Sequence, residues 1–410
     1  MRRVVVTGMG AITPLGHTAQ ETWAAMAEGK NGITTITRFD ASAFKATVAG
    51  EVKDFDPLKY MEKGEVRRND LYTQYALAAA EEAVADSGVI GTVESQRLGV
   101  YIGSGIGGLQ TTLKEHEKMM TENKTKLSPF LIPMMITNMA SGAVSIRYKA
   151  EGPTLPVVTA CATSSHTIGE AFRAIRHGYA DAIIAGGSEA TICPFAFAGF
   201  IGAMALTSNP DPATACVPFD ARRSGFVMGE GAVIMVLEEY ERAKARGAHI
   251  YAEVTGYDNT ADAYHITAPE PEAKGITNCI KNALQEAGAT VGADTYVNAH
   301  GTSTELNDKT ETLGFKKAFG DAAYDVAISS TKSMTGHMLG AAGAVEALAC
   351  IGALENGIAP PTINYQEPDP ECDLDYTPNV AARRDFKLAV STSLGFGGHN
   401  ACLVLQKIDG

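Results

Sequence analysis

The segment Ser165-His166-Thr167-Ile168-Gly169, which opens an Ala-rich helical pattern, is echoed by Gly336-His337-Met338-Leu339-Gly340 ahead of a second Ala-rich pattern. Histidine and glycine recur at one spacing, 166 to 337 and 169 to 340, or 171 residues. Val5-Val6-Thr7-Gly8 is matched more loosely by Glu253-Val254-Thr255-Gly256, and Gly231 to Glu238 by Asn400 to Gln406. Self-similarity of this kind marks two copies of one supersecondary unit that bury a common core. The expected organisation is two α/β halves, 1–250 and 251–410, facing each other across a pseudo-twofold axis. In the 171-residue register the counterpart of Cys161 is Lys332.

Within each half, short β-rich runs alternate with helical patterns: a strand at Arg3 to Thr7, helices at Glu21 to Gly29 and Asp70 to Ser87, and a strand at Leu98 to Gly103. Such alternation specifies α/β architecture around a buried sheet. The bulk numbers, 410 residues with 45% hydrophobic and 20% charged, supply ample core. A net charge of -13 argues against a nucleic-acid-binding surface, which needs dense Lys and Arg. Met1 to Gly8 runs straight into a strand-like segment without the apolar stretch of a signal peptide, and no run of about 18 apolar residues marks a membrane span. The seven cysteines form no CxxC pair, so reduced thiols in the cytoplasm are the expectation.

The chemistry concentrates in four segments. In Val158-Thr159-Ala160-Cys161-Ala162-Thr163-Ser164 the thiol is expected at a strand-to-helix turn, where unpaired N–H groups and positive potential favour thiolate. Cys193, Cys216, Cys279, Cys350, Cys372 and Cys402 read instead as small core hydrophobes. Val297 to Thr304 and Ser330 to His337 each read as a strand end leading into a polar loop, placing His300 and His337 where α/β sheets bind ligands. Neutral imidazoles there can donate to an oxygen on which negative charge develops. Lys332 is expected to be buried, with Asp308 and Glu346 as its counter-charges. Ser391 to Asn400 holds the run Gly395-Phe396-Gly397-Gly398, more glycine than a tight turn needs, and presents backbone N–H groups and a mobile Phe396. Gly103-Ser104-Gly105-Ile106-Gly107-Gly108 matches a dinucleotide fingerprint but lacks the acidic residue about 20 positions on, so no nicotinamide or flavin is expected.

Together, Thr159 to Ser164, Asn298 to Thr304, Lys332 to His337 and Gly395 to Gly398 resemble, in order and over nearly the whole chain, the β-ketoacyl-[acyl-carrier-protein] synthases, and most of all their synthase II branch. The resemblance implies a five-layered αβαβα thiolase-like fold, a homodimer, and no cofactor or metal beyond substrates carried on the phosphopantetheine of an acyl carrier protein. It implies that Cys161 takes the acyl chain while His300 and His337 stabilise the enolate left by malonyl decarboxylation. The oxyanion hole would be the N–H groups of Cys161 and Phe396, with Phe396 also the gate. Ile106, Phe200 and Ile201 match the acyl pocket, and Thr302 and Thr304 the pantetheine contacts. Leu394 and His399 depart from the common Phe and Thr beside the gate. Since the carrier is acidic, local cations must dock it: Lys63, Arg67 and Arg68, or Lys124 and Lys126. A polyketide ketosynthase and a non-catalytic partner subunit are the alternatives, the latter disfavoured by the intact Cys161, His300 and His337.

Overall fold

The computed structural model describes residues 1–408. Nine strands form the main sheet: β1 (Val4–Ile12), β2 (Leu98–Gly103), β3 (Ala182–Glu189), β4 (Gly231–Glu239), β5 (Ala252–Ala261), β6 (Thr295–Asn298), β7 (Ala327–Ser329), β8 (Leu388–Gly395) and β9 (His399–Gln406). The helices that matter most are α1 (Leu71–Ser87), α2 (Met139–Tyr148), α3 (Thr163–Arg176), α4 (Lys274–Ala287), α5 (Glu305–Phe319) and α6 (Ala342–Asn356). The strand order is β2-β3-β4-β1-β5-β9-β8-β6-β7.

Each half repeats one pattern. β2 runs parallel to β3, which is antiparallel to β4, itself antiparallel to β1; β6, β8, β9 and β5 repeat those relations. The halves join where β1 meets β5 through only three pairs: Val4 with Val254, Val5 with Glu253 and Val6 with Ala252. Val5 and Glu253 are themselves repeat equivalents, so the pseudo-twofold axis passes through their pair. α3 and α6 lie between the two halves of the sheet and share one core with both. α1 and α2 cover the outer face of the first half, and α4 and α5 that of the second. The result is the five-layered αβαβα arrangement.

Local sequence explains the outer packing. Asp70 caps α1 by accepting the Tyr72 N–H, and Gly88 ends it in the left-handed region at φ 59°. The alanine run of α1 then lies so close to β1 that a Cβ at Gly8 would come within 2.3 Å of the Ala83 oxygen, and one at Gly10 within 2.0 Å of the Ala79 oxygen. The first strand extends to Ile12, beyond the expected Thr7, because this contact buries its whole length. One stretch, Leu339–Asn356, is apolar and long enough by composition to cross a membrane; here it is the buried central helix and its lead-in turn.

Two expectations are corrected. The strand expected ahead of Cys161 is absent: Pro153 to Val158 is an extended segment, bridged to β2 only at Thr154 and Val100. Two prolines in this stretch deprive a sheet ladder of donors. The repeat register is 179 residues, not 171. A 3-10 turn at Ala160–Ala162 leads into α3 at Thr163, and one at Leu339–Ala341 leads into α6 at Ala342. Ala160 and Leu339 even share a left-handed backbone, φ 51° and 47°. The structural counterpart of Cys161 is therefore Gly340, and Lys332 lies on a separate short helix, Lys332–Thr335. The shared H-x-x-G came from glycine-rich helix starts whose side chains do different jobs.

Candidate active site

Cys161 sits in the 3-10 turn just ahead of the N-terminus of α3. Ala162 donates to the Thr159 carbonyl at 3.1 Å, and the Thr163 N–H returns to Ala160, while the Cys161 N–H has no acceptor among the described residues. Ala160, with its φ of 51°, forces the tight turn that presents the thiol. β8 and β9 form a hairpin closed by the Gly395–His399 pair, with Phe396-Gly397-Gly398 as its three-residue loop. Gly397 and Gly398 have φ of 90° and 76°, conformations that favour glycine. The loop presses against the nucleophile turn, where the Phe396 N–H lies near enough to the Cys161 sulfur to favour its ionised form. Two N–H groups thus converge beside the thiol.

The expected thiolate is not found. Although part of its surface opens to a cavity, protein surrounds Cys161, and burial pushes its thiol up to about 12; nearby Lys332 opposes this, whereas Glu189 and Glu346 add to it. Desolvation thus works against the helix terminus and favours the thiol form.

His300 and His337 face each other edge to face, with ring centroids 5.2 Å apart. Burial holds both imidazoles well below their usual range, and Lys332 lowers them further. Both are therefore neutral at pH 7. The Lys332 ammonium donates to the His300 carbonyl at 2.5 Å and to His300 Nδ1 at 3.2 Å. An ammonium can only donate, so the His300 proton resides on Nε2. His337 is held through its backbone, donating to Val227 at 2.7 Å and accepting from Gly229 at 2.8 Å. Both its ring nitrogens are buried without a hydrogen-bond partner among the described residues. Its ring packs edge-on against Phe226 at 5.1 Å.

Lys332, 1% exposed, forms an ion pair with Glu346 of α6, as expected. Asp308 is not a second partner. It stands on the first turn of α5, where its carboxyl accepts the N–H groups of Phe219, at 2.8 Å, and Thr302 and lies 3.9 Å from Arg223 Nε. It thereby pins the Thr302 loop instead of neutralising Lys332.

A cavity of about 360 Å³ joins these elements, with Cys161, His300, His337, Thr302, Thr304 and Phe396 all in its lining. Thr302 and Thr304 share a hydroxyl hydrogen bond at 2.9 Å. Ile106, Phe200 and Ile201 are not part of that cavity. They pack with Cys161 onto a separate apolar cluster that includes Phe197, Met228 and Leu339. Leu394 is 9% exposed and continues the core of the second half, while the His399 ring lies against Gly397 and 6.2 Å from that of His166. Lys63, Arg67, Arg68, Lys124 and Lys126 are exposed and lie away from the cavity; Lys124 pairs with Glu122.

Two supporting residues escaped the sequence reading. Glu311 on α5 accepts the N–H groups of His300 at 2.7 Å and Gly301 at 2.8 Å, and the Thr392 hydroxyl at 2.6 Å; burial raises its carboxyl to about 7. Its signal was available, since Asp308, Glu311 and Phe315 share one helical stripe and an acid on an apolar stripe calls for a partner. His166 contacts Thr159 Oγ1 through Nδ1 at 2.5 Å and the Asn400 carbonyl through Nε2 at 3.3 Å, tying the nucleophile turn to the hairpin. A carbonyl only accepts, so Nε2 carries its proton and Thr159 donates to Nδ1. Burial lowers its imidazole to about 4.

Comparison with known proteins agrees with this geometry. Residues 1–243 match the family model of the beta-ketoacyl synthase N-terminal domain, and residues 251–366 that of the C-terminal domain. The 3-oxoacyl-[acyl-carrier-protein] synthase 2 of Synechocystis sp. is 50% identical over 408 residues, covering 99% of this chain and 98% of the relative. That of Coxiella burnetii is 49% identical over 409 residues, with 99% of each covered. Among solved structures, a beta-ketoacyl synthase from Burkholderia phymatum superposes with a TM-score of 0.92 at 34% identity, and the ishigamide ketosynthase/chain length factor with 0.92 at 37%, each covering all of both chains. A type II polyketide ketosynthase in complex with its acyl-carrier protein superposes at 0.90 with 35% identity, again over all of both chains.

Proposed function

The chain belongs to the β-ketoacyl synthase family, and on that premise we propose how its residues divide the work. It carries out the elongating condensation of fatty acid synthesis, in which an acyl and a malonyl group on acyl carrier protein become a 3-oxoacyl group, CO2 and free carrier. Near-50% identity across the whole chain to enzymes of that name outweighs the 35–37% likeness to polyketide ketosynthases.

Cys161 is the acyl-carrying nucleophile. Its sulfur attacks the acyl thioester carbonyl, the bond to the carrier sulfur breaks, and the thiol proton leaves with that sulfur. Malonyl carrier protein then enters, with Thr302 and Thr304 along its pantetheine arm. Its carbon–carboxylate bond breaks to release CO2, and the electron pair moves into an enolate whose oxygen accepts N–H bonds from His300 and His337. The enolate carbon attacks the Cys161 thioester, and the oxyanion accepts from the Cys161 and Phe396 N–H groups. Collapse expels the Cys161 sulfur, which takes up one proton. Lys332 and Glu346 orient His300 by holding its Nδ1 as an acceptor. The proton that restores the Cys161 thiol comes from water; Phe396 is the gate, and Ile106, Phe200 and Ile201 line the acyl pocket.

The observation that carries this reading is the convergence of one thiol, two imidazoles held below their usual range and the Phe396 hairpin loop in the lining of one cavity. Mass analysis of condensation by the parent and by Cys161→Ala tests it: product from Cys161→Ala removes the nucleophile from its role. His300→Ala decarboxylating malonyl carrier protein at the parental rate removes the histidine from its own.

We further propose that the protein works as a homodimer in the cytoplasm. Exposed Phe130, Ile132, Ile146 and Phe195 supply apolar surface for a second copy, and seven free cysteines suit a reducing compartment. Sedimentation at micromolar concentration reads the oligomeric state, and a monomer there removes the dimer.

A further inference from the structure

The pseudo-twofold axis gives the Cys161 turn a twin. Ala160, Cys161 and α3 correspond to Leu339, Gly340 and α6. The strand ends beside them correspond too: β8 ends at Gly395, paired with His399, and β3 ends at Glu189, paired with Gly231. Where Gly395 brings the hairpin backbone against the nucleophile, the twin has a glutamate.

That glutamate is fully buried, and its carboxylate occupies the position facing the twin turn. It accepts the Gly340 N–H at 3.0 Å, the counterpart of the Cys161 N–H. It also accepts the Ser104 hydroxyl at 2.9 Å, the Gly105 N–H at 2.9 Å and the Ile106 N–H at 3.2 Å. Three backbone N–H groups and the Ser104 hydroxyl surround it, a donor-rich setting that favours the ionised form although burial raises the carboxyl to about 6. A Cβ at Gly340 would fall 2.4 Å from the Gly105 nitrogen and 2.8 Å from Glu189 Oε2, so the Gly105 backbone and Glu189 together leave no room for a nucleophile at the twin position.

We infer that Glu189 is a built-in anion plugging the oxyanion-hole counterpart of the first half, and that through it the enzyme positions the acyl-pocket wall at Ile106. Ile106 and Leu339 belong to the apolar cluster that also packs Cys161. Glu189 ties the loop of one to the turn of the other, so the pocket wall is fixed to the frame that carries the chemistry. Glu189 is a positioning residue, and the inference rests on the proposed acyl pocket.

The test measures kcat/KM of the full-length protein for a short and a long saturated acyl carrier protein, in the parent, Glu189→Gln and Ser104→Ala. The amide of Glu189→Gln has one accepting atom in place of two, leaving part of the donor set unmatched. The expected result is a fall of about fivefold in the long-to-short ratio for Glu189→Gln and a smaller fall for Ser104→Ala. Malonyl decarboxylation by enzyme pre-alkylated at Cys161 should stay at the parental rate, because the acyl pocket takes no part in it. An unchanged ratio, or a parallel loss on both substrates and in decarboxylation, overturns the inference. If Glu189→Gln does not fold, the Ser104→Ala ratio decides alone. A parent that condenses nothing overturns the functional reading instead, before Glu189 is in question.

Discussion

Gly395→Ala probes the oxyanion hole without touching a group that forms or breaks bonds. A Cβ at residue 395 would lie 2.7 Å from the Thr159 oxygen and 3.3 Å from the Cys161 and Ala162 nitrogens. Carbon–oxygen contacts settle no closer than about 3.3 Å, so the hairpin and the nucleophile turn must separate by about 0.6 Å. That displacement draws the Phe396 N–H away from the Cys161 sulfur, and the nearest neighbours of the added Cβ include neither His300 nor His337. Loss of one oxyanion donor costs about 100-fold, or about 2.7 kcal/mol of barrier. The overpacking itself should cost about 1–3 kcal/mol of stability, seen as a lower Tm. Rapid-quench mass analysis of acyl transfer to Cys161 should therefore show about a 100-fold slower rate. Iodoacetamide alkylation of the same thiol, which develops no oxyanion, should stay within about threefold of the parent. Acyl transfer within about threefold of the parent would refute the assignment, and a parallel loss in alkylation would show that the thiol had moved.

The buried ion pair should respond asymmetrically to loss of either partner. Glu346→Ala leaves the Lys332 ammonium buried and should cost about 3–5 kcal/mol in denaturant unfolding. Lys332→Met should cost less, because burial already raises the Glu346 carboxyl to about 7 and the unpaired acid can take up a proton; Lys332→Met as the less stable variant would reverse this account. Asp220 is held low, at about 2, by the Arg222 side chain and the Gln366, Glu367 and Arg222 N–H groups against the opposing effect of burial. Its contribution is fully present above its unfolded value of about 3.9 and fades as pH falls through about 2. Asp220→Asn should therefore cost about 2 kcal/mol at pH 7 and progressively less below pH 4, and a gap that widens in acid would contradict it. If the exposed cations dock the carrier, Arg67→Glu with Arg68→Glu should lower kcat/KM for carrier-linked substrate, and added salt should do the same to the parent; salt-insensitive kinetics remove that surface from the docking site.

Legibility in the sequence followed the range of the interactions. Cys161, His300 and His337 each stand in a short segment whose turn chemistry is local, and a single stretch displayed the Phe396 hairpin. Lys332 was placed correctly as a buried charge but for an incorrect reason, since the 171-residue register that paired it with Cys161 is displaced from the structural one. Asp308 was paired with the wrong cation because α5 turns it toward Arg223 and the Phe219 N–H, a choice made by tertiary packing. Glu189 lies 28 residues beyond Cys161 at the end of a strand, and only the pseudo-twofold axis brings it to Gly340. His166 was noticed as part of a repeat, yet its bonds to Thr159 and Asn400 depend on how α3 meets the hairpin.

In the proposed mechanism, the protonation states together explain how one pocket would hold a carbanion. An enolate survives only if no nearby group gives it a proton before it reaches the thioester. An imidazolium would stabilise the enolate oxygen more strongly than a neutral ring, but it would also be an acid of ordinary strength beside the nucleophilic carbon. Burial and the Lys332 charge keep both rings neutral, so they stabilise as N–H donors while remaining very weak acids. The thiol proton is gone by then, lost with the departing carrier when the acyl chain was loaded. Of the cations around the cavity, Lys332 has its donors committed to Glu346 and to the His300 carbonyl and Nδ1, and Arg223 is paired with Asp369. The same desolvation that denies Cys161 a resting thiolate therefore protects the carbanion. Acyl transfer then draws on the thiolate fraction of Cys161 and on the oxyanion hole, which is why the 0.6 Å displaced by one methyl group at residue 395 should cost about two orders of magnitude.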